Sequence, residues 1–274
     1  EGFQIFGLPP YQYYSAGLAC FMTGGTNSNE WMQDNHDIWN NSMDLAGITN
    51  TGIVGFKYFG FGGLAQATKG LKAFTGIQKG DGAVLNLNLT AGGHGAFKIH
   101  VKLDDPWKGD EIAVFDIPAD AQKSPKIYQQ PVPAVEGLQG KHAIYLVAEG
   151  ADIQAPQRPQ WGPRRPQRPQ GLFDLHGIGF SKAGEQFEAP VVPQVTIMAD
   201  GQKLVIPSTP IRFTNLNGYT DQTRYQVYGK IGDGSKLTAT ASDPSVKFEI
   251  SPIVEGRATI KATYNGLTKI FLIN

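Results

Sequence analysis

The sequence predicts an all-β chain built of two β-sandwiches, and three observations predict it. First, residues 83–117 alternate with a period of two: Leu85, Leu87 and Leu89 against Asn86 and Asn88, then Phe97, Ile99, Val101 and Leu103 against Lys98, His100 and Lys102. That period places apolar side chains on one face of a sheet and polar ones on the other. Second, residues 194–274 hold some seven short strand-like segments, several parted by Asp200-Gly201, Asp233-Gly234 and Asn265-Gly266, which are hairpin turn chemistry. Third, the 34 glycines and 18 prolines among 274 residues suit many short strands and turns.

Taken in order, residues 1–17 are aromatic and Pro-rich without a period and are expected to pack on a neighbouring domain. Leu18–Met22 reads as a first strand, residues 23–51 as mostly loop, Ile53–Phe61 as a buried strand and Lys69–Phe74 as a short one. The segments beginning at Ala83, Phe97 and Ile112 read as three antiparallel strands of one sheet, joined by Gly-rich and Asp-Pro turns, whose apolar face needs a second sheet to cover it. Pro131–Val135, His142–Val147 and Leu172–Phe180 complete the domain. Between Gln154 and Gln170, a proline about every third residue blocks helix and favours an extended loop. The expected boundaries are 18–183 for the first domain, 184–193 for a linker and 194–274 for the second. Seven strands in so short a span, without a disulfide, predict an immunoglobulin-like sandwich.

Composition narrows the function. A hydrophobic content of 41% supports a substantial core, and 24 basic against 24 acidic side chains favour neither nucleic acid nor an anionic membrane. No apolar run has the length of a membrane helix. Cys20 is the only cysteine and reads as a core residue in an apolar strand. The chain begins at Glu1 and is expected to be a mature product or a piece of something longer. The sequence has no Gly-x-Ser-x-Gly, no phosphate loop, no zinc pattern and no strand with the carboxylate spacing of jelly-roll glycanases.

Four motifs in order carry a family resemblance over about residues 18–181. Gly52–Gly62 is similar to G-D-x-V-x-Y-x-x-V-x-F-G, and Phe97–Asp104 to I-x-I-x-L-D. Gly140–Leu146 is similar to G-x-H-x-L-Y-L, and Phe173–Phe180 to F-N-L-D-W-F-x-F. The region resembles carbohydrate-binding module family 6, which implies a jelly-roll β-sandwich. The second domain resembles the immunoglobulin-like modules that end bacterial polysaccharide-degrading enzymes. The pairing resembles the C-terminal part of a Bacteroidetes-type glycoside hydrolase, of family 43 or family 2. No cofactor is expected: the family's structural calcium is held by positions that here are His176 and Ala19–Phe21, without a carboxylate.

The resemblance puts a sugar-binding Asn at Asp174, which either binds sugar or caps the adjacent loop. Trp161 lies in the Pro/Arg loop beside it, either as a stacking ring for sugar C–H groups or as an anchor on a neighbouring domain. Arg158, with Arg164, Arg165 and Arg168, suits uronate carboxylates. Tyr128 falls near the family's second aromatic platform. Trp39 and Trp31, with Asp34, His36 and Asp37, lie in a long early loop that would form a rim; as a metal site those three lack a spaced partner. Trp107 either braces its hairpin or meets glycan, and His142 reads as structural. The expected function is a non-catalytic polysaccharide-binding accessory region of a secreted, periplasmic or cell-surface glycoside hydrolase. Its partners are a plant or algal polysaccharide or oligosaccharide and an upstream catalytic domain. The alternative is a spacer or docking module that binds no glycan.

Overall fold

The computed structural model describes residues 7–27, 44–62, 76–153, 170–191, 193–206 and 222–274. The chain forms two compact units, the first ending at Ala189 and the second running from Pro190 to Asn274. The first contains β1 (Tyr14–Ser15), β2 (Phe21–Thr23), β3 (Thr26–Asn27), β4 (Leu45–Ile48), β5 (Ile53–Gly62) and β6 (Val84–Ala91). It continues with β7 (Phe97–Leu103), β8 (Glu111–Ile117), β9 (Lys126–Pro131), β10 (Gly140–Glu149) and β11 (Phe173–Ser181). One sheet runs β3-β4-β11-β6-β9, with β1 also on β11; the other runs β2-β5-β10-β7-β8. Leu85, Leu87, Leu89, Phe56, Phe59, Phe61, Ile99, Val101, Phe115 and Phe180 meet between the sheets as one buried core. This is the expected jelly-roll sandwich.

The period of two locates these strands and mis-assigns their partners. β6 pairs with β11 and β9, whereas β7 pairs with β10 and β8. The Gly92–Gly95 turn is therefore a crossover between sheets, and the three strands expected in one sheet are divided between two. Alternation shows which face is apolar but not which strand lies alongside. Pro131–Val135 is not a strand: β9 ends at Pro131, and Pro133–Val135 is a short 3-10 turn, in which Pro133 at the first position supplies a helical φ. β4 (LAGI) went unread because its four residues are all buried, so it has no alternation to read. The strand expected from Leu18 is β2, which starts only at Phe21, after a 3-10 turn at Ala16–Leu18, and Cys20 is exposed rather than core. Lys69–Phe74 lies outside the described residues.

From Gly7 onward the leader packs on its own sandwich. Leu8 donates to the Tyr58 carbonyl (2.7 Å) and accepts from the Gly60 N–H (2.9 Å), while Tyr14 and Ser15 align with Ile178 and Gly177. The Tyr14 ring is buried against Phe59, and the Tyr11 hydroxyl donates to Asp81 (2.6 Å). The expectation of a leader held for a neighbouring domain gives way to a strap across both sheets of its own domain. The apolar content of this segment is used locally, because rings such as Tyr14 and Tyr11 have core to cover.

The second unit contains β12 (Val195–Ala199), β13 (Gln202–Lys203), β14 (Gln222–Val227), β15 (Leu237–Ala241), β16 (Lys247–Ile250), β17 (Ala258–Tyr264) and β18 (Leu267–Ile273). They form a β13-β12-β15 sheet and a β14-β18-β17-β16 sheet around Ile197, Val227, Ile260, Phe271 and Ile273. Asp200-Gly201 and Asn265-Gly266 take positive φ at both residues, the two-residue turn that matches the twist of paired strands. β14 runs parallel to β18.

Candidate functional site

The residues expected around Asp174 assemble only in part. Asp174 lies on β11 opposite Thr90 and is 8% exposed. Its Oδ1 accepts the Gly47 N–H at 2.8 Å. A buried carboxylate bonded to a backbone N–H holds a turn closed, and Asp174 here secures the Gly47 bend of β4. A Cβ at Gly171 would run into the Gly47 backbone and one at Gly92 into Gly171, so these chain segments meet backbone to backbone. Beside them His176 Nδ1 is 2.8 Å from Asp44 and its Nε2 is 2.7 Å from Thr90 Oγ1.

Tyr128 lies opposite Leu87, which is fully buried, and its ring packs on the core. Directly opposed residues share a sheet face, so the ring points inward, and burial pushes its hydroxyl pKa up. Trp161, Arg158 and Trp39 lie outside the described residues, as do Trp31, Asp34, His36 and Asp37.

A second site, which the sequence reading did not assemble, occupies the outer face of the β2-β5-β10-β7-β8 sheet. Phe21, Gly55 and Tyr145 lie level on β2, β5 and β10. A Cβ at Gly55 would come within 2.5 Å of the Tyr145 ring, so this glycine lets the ring lie across the strand. The Phe21 ring meets Tyr145 edge-on at 6.2 Å and Trp107 at 6.5 Å. β5 exposes two consecutive residues, Lys57 and Tyr58, between the buried Phe56 and Phe59. The ladder to β10 shifts register there. Tyr58 is 44% exposed, Lys141 lies 5.6 Å over its ring, and Lys57 lies 5.8 Å over Tyr145.

Trp107 is 70% exposed, so its ring does not brace the hairpin. The turn that presents it is braced by its neighbours. Asp105 Oδ1 accepts the N–H groups of Trp107 and Lys108, both at 2.8 Å, and these bonds lower the Asp105 pKa. Asp104 takes the Ala143 N–H at 2.8 Å and His142 Nδ1 at 2.7 Å, which gives His142 the structural role its sequence suggests. Gly109 fits where a Cβ would strike the Leu103 carbonyl. An exposed ring on a turn with fixed backbone costs little to order when a partner arrives. The turn stands at the far end of β7 from Phe97, and Phe97 stacks on Phe173 next to Asp174. Seven strand residues put roughly 20 Å between the two regions.

Among solved structures, the chain is similar to a glycoside hydrolase family 43 arabinoxylan arabinofuranohydrolase from Bacillus subtilis, in complex with cellotetraose. The identity is 16% over 66% of this chain and 29% of that one, with a TM-score of 0.44. It is similar to a family 6 carbohydrate-binding module from Clostridium cellulolyticum in complex with xylose, at 16% identity over 63% of this chain and 98% of that one (TM-score 0.41). A β-1,3-glucan-binding family 6 module from Bacillus halodurans is similar at 13% identity over 64% and 98% (TM-score 0.40). The chain spans less than a third of the length of the first of these. No family model and no curated protein matches it.

Proposed function

We propose that the first sandwich binds polysaccharide by aromatic stacking, as a non-catalytic accessory region of a secreted glycoside hydrolase. The observation that carries this is the Trp107 ring, 70% exposed on a hydrogen-bonded turn beside Phe21, which in turn meets Tyr145. Sugar C–H groups stack on such rings, while the neighbouring polar and cationic side chains serve the hydroxyls. Binding of this kind is weak per site, and its effect is proximity: a tethered catalytic domain meets a higher local concentration of substrate. The ordered motifs at Gly52–Gly62, Phe97–Asp104, Gly140–Leu146 and Phe173–Phe180 support the same reading. In this proposal Trp161, Arg158 and Trp39 also contact the glycan, and Asp174 holds the Gly47 turn. The smaller sandwich is a spacer of immunoglobulin-like type.

Affinity electrophoresis of the intact chain through gels cast with xylan, β-glucan or pectic polysaccharide tests this. Retardation by at least one gel, lost on Trp107→Ala, is expected. Trp161→Ala tests that further contact, since it should weaken retention only where Trp161 contributes. If no polysaccharide retards the chain, the proposal fails. A spacer or docking reading then takes its place, one that the commitment of Asp174 to Gly47 already favours. Stable association with a purified catalytic domain of the parent enzyme would establish it.

A further inference from the structure

The charges on the Trp107 face are sorted unevenly. Lys98 pairs with Asp116 (3.4 Å) and Lys102 with Glu111 (3.3 Å). His100 lies between Glu111 (2.8 Å) and Glu149 (2.6 Å), and His142 meets Asp104 (2.7 Å). Asp116, Glu111, Glu149 and Asp104 thus each have a side-chain partner within the face. Lys57 and Lys141 are different: among the described residues neither has a carboxylate within ion-pair distance, and each ammonium lies over a tyrosine ring. A ring quadrupole holds an ammonium in place without neutralising it. Tyr145 is also the main cause of the raised Lys57 pKa. Lys57 and Lys141 are therefore two cations held in place on one sheet face, each without a carboxylate partner among the described residues.

We propose that this face takes an anionic glycan, with the carboxylate or sulfate groups of successive sugars held by Lys57 and Lys141 while Trp107 stacks on a ring. The assignment rests on the reading that the first sandwich binds polysaccharide. A neutral chain laid across this face would strip water from both ammonium groups and return hydrogen bonds from its hydroxyls but no countercharge. A uronate or a sulfate ester offsets that loss, so ligand charge decides between glycans that stack on Trp107 equally well. Screening follows from the same physics: salt weakens the ionic part and leaves the stacking part in place.

The test is affinity electrophoresis and calorimetry of the intact chain with polygalacturonate, a sulfated galactan and neutral arabinoxylan, at low and at high salt. Expected are tighter binding to an anionic polymer than to arabinoxylan, and a loss of about tenfold on Lys57→Ala/Lys141→Ala, the effect of about 1.4 kcal/mol. Raising salt should reproduce that loss. Lys98→Ala/Asp116→Ala, which removes an already matched pair from the same face and keeps its net charge, should change nothing. Lys57 and Lys141 are surface residues, and unchanged circular dichroism and melting confirm that their double variant folds. A preference for polygalacturonate assigns the anion as carboxylate, and one for the galactan assigns it as sulfate. Equal binding of neutral and anionic polymers, insensitive to salt and to the double lysine variant, overturns the anionic assignment and leaves the polysaccharide reading intact. Binding to none of the three, neutral polymer included, removes that reading and this inference together.

Discussion

The two outer faces of the first sandwich are built from the same kind of strand and end differently. On the β11–β6–β9 face the chain covers itself. Tyr13 lies over Gly177, Phe187 packs on Tyr13, and Asn88 donates to the Tyr13 hydroxyl at 3.1 Å. Asn86 is fully buried, donates to the Gly179 carbonyl and to Ser181, and accepts from Gln129 at 2.6 Å. On the β5–β10 face nothing from residues 7–17 lies over the strands beyond the edge contact at Leu8, and Trp107, Tyr58, Lys57 and Lys141 stay available. Polar groups that the chain covers must satisfy one another, and those it leaves open keep their bonding capacity for a partner. The leader, more than strand composition, separates a covered face from an open one.

Four changes break or sharpen that contrast. The largest is Gly179→Ala. Its Cβ would run into the Gln12 carbonyl, so the leader must lift, at a cost of about 3 kcal/mol; urea denaturation should show it, with the Trp107 face unaltered in fluorescence. Asn86→Ala comes next, because it leaves Ser181, Gln129 and a buried carbonyl without their partner, at about 2 kcal/mol.

Third is pH. The Tyr11 hydroxyl, the Gln78 N–H and Lys182 hold Asp81 down to about 2. Its folded value lies below the unfolded one, so acid protonates the unfolded chain first. The contribution is complete above about pH 4 and disappears as pH falls towards 2. Urea titrations between pH 6 and pH 3 should lose stability faster for the natural chain than for Asp81→Asn. Smallest is Trp107→Ala, which should move stability by less than about 0.5 kcal/mol while retention on polysaccharide gels is lost. A Trp107 variant that melted like Asn86→Ala would make this ring structural and erase the contrast.

Several parts of this contrast were legible in the residues and several were not. Leu85, Leu87 and Leu89 identified a core face because period two is local. Asn86 and Asn88 read as solvent-facing by the same rule and are buried, since what covers them comes from more than 70 residues away. Trp107 was visible as an aromatic in an Asp-Pro turn, but its neighbour Phe21 lies on β2 and meets it only across the sheet. Asp174 was found from its motif, and its Gly47 partner was not, because the bond spans 127 residues. Lys57 and Lys141 resemble any surface lysine in the sequence, and only the pairing of the other charges sets them apart.

By itself the sequence determined the positions of alternating strands such as β6 and β7, hairpin turns such as Asn265-Gly266, and an all-β class, because alternation and turn preference act over a few residues. Tertiary structure alone decided that β6 and β7 part into different sheets, that residues 7–17 cover one face, and that on the other two lysines have no carboxylate partner among the described residues. Those outcomes depend on which distant segments compete for the same surface, and no local pattern encodes that competition.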